Sequence, residues 1–276
     1  MANITATEVN KLRKMTGAGM MDCKKALVES EGDFEKAIDI LRKKGQKVAS
    51  KRADKETNEG IVLAKTTNDK KFAAVIMLSC ETDFVAKNKE FVEFANKVID
   101  LALIQKPKSL DEIKALELDG RSIAEGVTEL VGKTGEKMDL AYYEFIEAAN
   151  VTAYNHQGNR LATILGLNKN NGLQDVGREL AMQVAAMNPV AVDKDDVPQE
   201  VIDKEIEIGK EQARQEGKPE KILEKIAMGK LNKFFKESTL LNQDFVRDTK
   251  KTVAQYLKET DPELKVTGFK RLMLGA

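Results

Sequence analysis

Residues 61–107 read IVLAKTTNDKKFAAVIMLSCETDFVAKNKEFVEFANKVIDLALIQKP. Two apolar runs, Ile61 to Lys65 and Phe72 to Ser79, flank a turn at Asn68-Asp69, which is the pattern of a β-hairpin. The period then changes from two to 3.6. Phe91, Phe94, Ala95, Val98, Leu101 and Ala102 fall on one side of a helix that must end before Pro107. Between hairpin and helix lies Cys80-Glu81-Thr82-Asp83-Phe84-Val85-Ala86-Lys87-Asn88. Thr82 or Asp83 can act as a helix cap, and pattern alone puts Phe84 in the core.

The same order recurs. Val151 to Tyr154, a turn at Gln157-Gly158, and Leu161 to Leu167 form a second hairpin. A helix carrying Val176, Leu180, Val184 and Met187 comes next and ends at Pro189. Two copies make a pseudo-repeat, not a solenoid. Residues 109–140 read as mainly helical. Between Val197 and Lys233, Ile202, Ile206 and Ala213 mark one helical stripe, and Ile222 and Ile226 a second. Gly217 and Pro219 punctuate them, as expected of a helix end and a helix start. This predicts an antiparallel helical hairpin of about 25–30 Å. Phe234 to Val246 and Leu264 to Leu274 read as strands around a helix at Thr249 to Lys258. In the first fifty residues, Thr5 and Glu8 form a capping box ahead of Val9 and Leu12. Gly17 and Gly19 break that helix, a second carries Cys23, Ala26 and Leu27, and Asp33 caps a third with Phe34, Ala37, Ile38 and Leu41. Residues 42–55 turn basic, lose their apolar stripe and read as a linker. The fold class is α+β.

Composition removes several functions. The 276 residues hold 45 Lys+Arg against 45 Asp+Glu, one His and two Cys. A balanced charge argues against a domain built to neutralise phosphates. One His rules out a His-rich metal site, and Cys23 and Cys80 form neither a CxxC pair nor a disulfide framework. Two thiols suit a reducing compartment, and the first sixteen residues lack the apolar core of a signal peptide. No apolar run reaches the ~18–20 residues of a membrane span. The expectation is a cytoplasmic protein with no membrane contact and no cofactor.

Motifs for chemistry fail on spacing. Gly126, Gly132, Lys133 and Thr134 carry one residue too many for a phosphate loop, and no strand precedes them. Gly17-Ala18-Gly19 lacks the third Gly of a dinucleotide fingerprint. His156 sits in a turn, where an inert role is the simplest reading. The basic stretch Arg42, Lys43, Lys44, Lys47, Lys51, Arg52 lacks interleaved aromatics for stacking on RNA. Met20 and Met21 are adjacent on a short turn and cannot both face one small core. Either both tuck under the bundle or one stays exposed, where a flexible thioether suits a partner surface.

Two of these segments resemble the signatures of the elongation factor Ts family. Leu12 to Leu27, LRKMTGAGMMDCKKAL, matches the first almost residue for residue, and Cys80 to Asn88 matches the second. The helical hairpin and Lys265-Val266-Thr267-Gly268-Phe269 are also similar. The resemblance implies a three-helix, ubiquitin-associated-like domain with its basic linker at 1–55. It further implies a core of two α+β subdomains at 56–145 and 146–276, the second interrupted by a coiled-coil arm at about 194–233. It implies a guanine nucleotide exchange factor acting on elongation factor Tu, in its GDP-bound and nucleotide-free forms, without covalent chemistry. In that family the segment matching Thr82, Asp83, Phe84 and Val85 enters the partner. The Phe wedges between helices and the Asp helps disturb the Mg²⁺ site. Leu12, Met20 and Met21 match a surface that grips a partner helix, and His156 a contact to another partner domain. No direct nucleic-acid contact is implied, and a homodimer within a larger complex is left open. Met77 and Ser79 depart from the family's usual Glu and Asn, Gln157 separates His156 from Gly158, and Gly132 to Met138 follows the pattern loosely. The sequence given stops at Ala276, without the C-terminal extension of longer members. An RNA-binding scaffold is the rival reading, and an enzyme is third.

Overall fold

A computed structural model describes residues 4–170 and 172–275. Three helices come first, α1 (Ala6–Thr16), α2 (Met20–Glu29) and α3 (Phe34–Lys51). Thr5 and Glu8 close the expected capping box, and Asp33 accepts from the Lys36 amide at the start of α3. Val9, Leu12, Cys23, Ala26, Leu27 and Ala37 form one small core. The expected linker is not there. α3 continues to Lys51, because the chain past Leu41 still has a buried face. Gly45 lies against Gly132, and a Cβ on Gly45 would stand 3.1 Å from the Thr128 carbonyl oxygen. Val48 and Ala49 pack on the next core. Basic residues cover the other sides, which hides a stripe made of Gly, Val and Ala.

The hairpin of residues 61–107 forms as β1 (Glu59–Thr66) and β2 (Phe72–Cys80), antiparallel from Glu59↔Cys80 to Thr66↔Ala73. A short helix α4 (Asp83–Ala86) and a long one α5 (Lys89–Gln105) come after it. Then come α6 (Leu110–Ala115), a tiny ribbon β3 (Glu117–Leu118) and β4 (Arg121–Ser122), α7 (Ile123–Thr134) and β5 (Met138–Glu147). The phosphate-loop look-alike is thus the interior of α7. β5 completes a sheet of order β1-β2-β5. The helical reading of 109–140 misses this strand because a bulge breaks its alternation: Met77 pairs with Tyr142 but Leu78 with Leu140.

The second hairpin is β6 (Asn150–Asn155) and β7 (Leu161–Leu167), followed by α8 (Gln174–Met187). With the last strand, β10 (Val266–Met273), they form a second sheet of order β10-β7-β6. The layers follow from side-chain alternation. In β2, Phe72, Ala74, Ile76 and Leu78 face α5 and α7, while Ala73, Val75 and Met77 face Ala162 and Ile164 of β7. Leu165 and Leu167 of β7 then face Leu180 and Val184 of α8. The result is helix, sheet, sheet, helix. The Asn155 side chain accepts from the Ala64 amide at 2.7 Å and donates to the Ala64 carbonyl at 2.9 Å, which covers the outer edge of β1.

α9 (Gln199–Gln215) and α10 (Glu220–Ser238) form the expected helical pair. Gly209 and Ala213 meet it from one side, but Leu223, Ala227 and Leu231 supply the buried stripe of α10. Ile222, expected there, is exposed. α10 also runs through Phe234 to Ser238, read from sequence as strand. Only the ribbon β8 (Asp244–Phe245) and β9 (Asp248–Thr252) is extended before α11 (Val253–Thr260). Phe234 and Phe235, with high strand propensity, are overridden by continuation of the helix.

The close approach of α3 to α7 sets a test. Gly45→Val should lower unfolding stability by about 1–3 kcal/mol, as overpacking does. Gly229→Ala, in open space on α10, should raise it by up to about 1 kcal/mol. Denaturant unfolding of both variants reads the two signs.

Candidate functional site

β2 is buried from Phe72 to Cys80, and the chain leaves its end in one tight turn. Thr82 caps α4, its Oγ1 accepting the Val85 amide at 3.4 Å. Asn88 caps α5, accepting the Glu90 amide at 2.8 Å. The caps fix which way each residue of the turn points, since neighbours on a helix stand about 100° apart. Val85 goes inward and is buried, with Ala86 packed beside it. Phe84 goes outward and is 82% exposed. Pattern placed this ring in the core; the core position belongs to Val85. A buried Phe stabilises a fold by about 1.5–3 kcal/mol, so an outward ring gives up that contribution. Asp83 is exposed beside it and accepts from Lys87 Nζ at 2.6 Å. That hydrogen bond holds its carboxyl below the usual carboxylate range, so Asp83 is ionised at neutral pH.

The turn is tied down from the far side of α7. Glu136 accepts from both the Thr82 amide, at 3.1 Å, and the Thr82 hydroxyl, at 2.7 Å. Glu81 in turn accepts the Lys137 amide and pairs with Arg52 at 3.2 Å. Arg52 also donates to the Gly135 carbonyl. Gly135 ends α7 in the left-handed conformation, φ 76°, which glycine adopts without cost. Cys80 sits beneath, its Sγ donating to the Thr82 carbonyl at 3.2 Å. Burial pushes this thiol up to about 12. Glu81, Glu136 and Arg52 are absent from the sequence-derived site residues. More than fifty positions separate Thr82 from Glu136, and no spacing rule joins them.

The other expected residues divide. Met20 and Met21, in the first turn of α2, are 51% and 63% exposed, and Met15 on α1 is exposed too. The readings left open have both tucked under or one exposed; both are exposed. Leu12 is fully buried in the free protein. Its position on α1 points it into the same small core as Cys23 and Leu27. Val85 is buried likewise. Lys133 connects the two exposed groups: its ammonium lies against Gly17 and pairs with Glu90 at the start of α5 and with Glu129. His156 forms a third, separate locus, exposed on the β6–β7 turn with Tyr154 Oη 2.8 Å from its Nδ1.

Residues 81–276 match the family model described as elongation factor TS. The chain is 52% identical over 276 residues to elongation factor Ts of Amoebophilus asiaticus, covering 99% of each chain. It is similarly 50% identical to that of Christiangramia forsetii, over all of both chains, and 51% to that of Porphyromonas gingivalis, over 99% of each. The chain belongs to the elongation factor Ts family. Its family match begins at Glu81, the first residue after the central strand, so the capped turn opens the matched span.

Two outcomes check the site as built. Phe84→Ala should leave the unfolding midpoint within about 0.5 kcal/mol of the parent, as for other exposed positions. At pH 8 an aromatic disulfide reagent should label neither Cys23, which is buried, nor Cys80, whose thiolate is suppressed, until denaturant is added. Fast labelling of Cys80 in the native protein would show that the turn above it is not closed.

Proposed function

We propose that the chain is a guanine nucleotide exchange factor for elongation factor Tu, working by binding alone. The observation that carries this reading is Phe84, an aromatic ring held outside the fold on a doubly capped turn. Such a ring supplies a contact that exists only when a partner opens to receive it. A GTPase holds GDP partly through Mg²⁺ bridging phosphate oxygens and protein groups. Phe84 wedges between partner helices while the ionised Asp83 disturbs the ion's site, and GDP leaves. Exchange is then differential affinity: whatever factor nucleotide costs the complex, the complex costs nucleotide. Met20 and Met21 grip a partner helix, His156 touches another partner domain, and Leu12 and Val85 act from the core by fixing the displayed residues. The same reading makes α1–α3 a ubiquitin-associated-like domain, divides the sheets between two subdomains, and makes α9–α10 a coiled-coil arm. It places the protein in the cytoplasm.

The RNA-scaffold reading has less support. Lys44 pairs with Asp22, and Arg52 is engaged by Glu81 and Gly135, so the basic stretch is partly spent within the fold. RNA affinity falling steeply with salt, with no exchange activity, would favour it.

Release of a fluorescent GDP from elongation factor Tu is the decisive assay. Phe84→Ala should slow it at least about tenfold, the effect of losing a buried aromatic anchor worth ~2 kcal/mol. Met20→Ala and Met21→Ala should raise the half-saturating partner concentration more than they lower the maximal rate. His156→Ala should cost less than about threefold. Normal release by Phe84→Ala would sink the reading.

A further inference from the structure

Phe84 makes no use of the core to hold its position, so something else must. The turn has two inward anchors, Val85 and the Thr82 cap, and Thr82 is the one that sets the turn's direction. A lone threonine cap can rotate about χ1 and give its acceptor to water. Here it cannot, because both of its donors, amide and hydroxyl, end on one carboxylate, Glu136. The hydroxyl proton directed at Glu136 leaves the Oγ1 lone pairs facing the Val85 amide. Glu136 is itself fixed: its amide donates to Thr134 Oγ1 at 3.2 Å, Gly135 sets the chain reversal, and Arg52 holds the Gly135 carbonyl.

We propose that Glu136 is a positioning residue for exchange, holding the Thr82 cap so that Phe84 is presented outward and ready. This rests on the reading of the chain as an exchange factor. The residue touches neither nucleotide nor partner in this role; it acts through Thr82 on Phe84. Hydrogen bonds to a charged acceptor are the stronger kind, and a wedge misplaced by about 1 Å can lose a large part of its effect. Glu136 should therefore act on the rate at which the bound complex opens, more than on how well the complex forms.

The test uses the full chain. Glu136→Ala should lower the maximal rate of fluorescent-GDP release about fivefold to tenfold, while the half-saturating partner concentration moves less than about twofold. Glu136→Gln keeps one acceptor for the Thr82 amide and should give a loss between the two, about twofold to threefold. Amide hydrogen exchange at Thr82 and Val85 should quicken at least about tenfold in Glu136→Ala, with the amides of β2 unchanged. In a Phe84→Ala background, adding Glu136→Ala should cost less than about twofold more, because both changes remove one function. Additive losses in the double variant would overturn the proposal, as would unchanged protection of the two amides. So would a general fall in stability with rate and affinity dropping together. If Phe84→Ala alone releases GDP normally, the exchange reading fails first and the role of Glu136 falls with it; an altered amide pattern would then mark a clamp without that use.

Discussion

A strand buried on both faces has no register in which it can slip. β2 is buried at all nine positions, and its two side-chain sets fill different cores: one against helices, one against the second sheet. Sliding by a single residue would exchange Phe72 and Ile76 for Ala73 and Val75 in each core, with voids on one side and clashes on the other. The end of β2 is therefore fixed in space more tightly than any exposed strand could be. Everything displayed near Thr82 inherits that fixity, since only Glu81 intervenes between the strand and the cap. The second sheet contributes by supplying the face that keeps β2 dry.

Polar groups carry the same rigidity outward. Thr82, Glu136, Glu81, Lys137 and Arg52 join the ends of β2, α7 and α3 within one set of hydrogen bonds. Lys133 does the same between the α1–α2 turn and the start of α5. These links explain where much of the balanced charge resides. Equal numbers of acids and bases make the surface neutral in sum, and many are spent on pairs such as Lys133–Glu90 and Arg52–Glu81 that orient one element against another. The well-exposed pairs, such as Lys89–Glu93, contribute little stability. The effect of the half-buried pairs Lys133–Glu90 and Arg52–Glu81 is geometric, in orienting one element against another.

The features legible in the chain are those that lie on one element. Both hairpins, the caps at Thr5, Asp33 and Thr82, and the stripe of α5 depend on neighbours within a few residues, and each appears where expected; in α8 Leu180 and Val184 are buried as expected but Met187 is exposed. Readings fail where a distant element decides. α3 outlasts its apolar stripe because Gly45 meets Gly132, a contact invisible in either segment alone. β5 is lost to a bulge set by its pairing with β2. Resemblance to a motif places Leu12 and Val85 in partner-binding segments without saying that both lie buried in the free protein. Phe84 reverses in the other sense: its apolarity says core, and only the direction of the Thr82 cap says otherwise. The cap at Thr82 is thus legible in the sequence, whereas its tie to Glu136 needs the fold.

An exposed aromatic on a rigid turn and a catalytic group on a rigid turn obey the same requirement. Each must be held against what its own chemistry prefers: the acid against neutralisation, the ring against burial. For Phe84 the opposing tendency is collapse onto the nearby core, which the Val85 side chain already occupies and the Thr82 cap forbids. Because the ring is exposed in the free protein, the gain from its burial is available to whatever surface can enclose it; on the proposed reading that surface is a distorted partner. A flexible loop carrying the same ring would spend part of that gain on becoming ordered. On the proposed exchange reading, rigidity in the free state would therefore raise the share of binding free energy that can be turned to distortion of the partner.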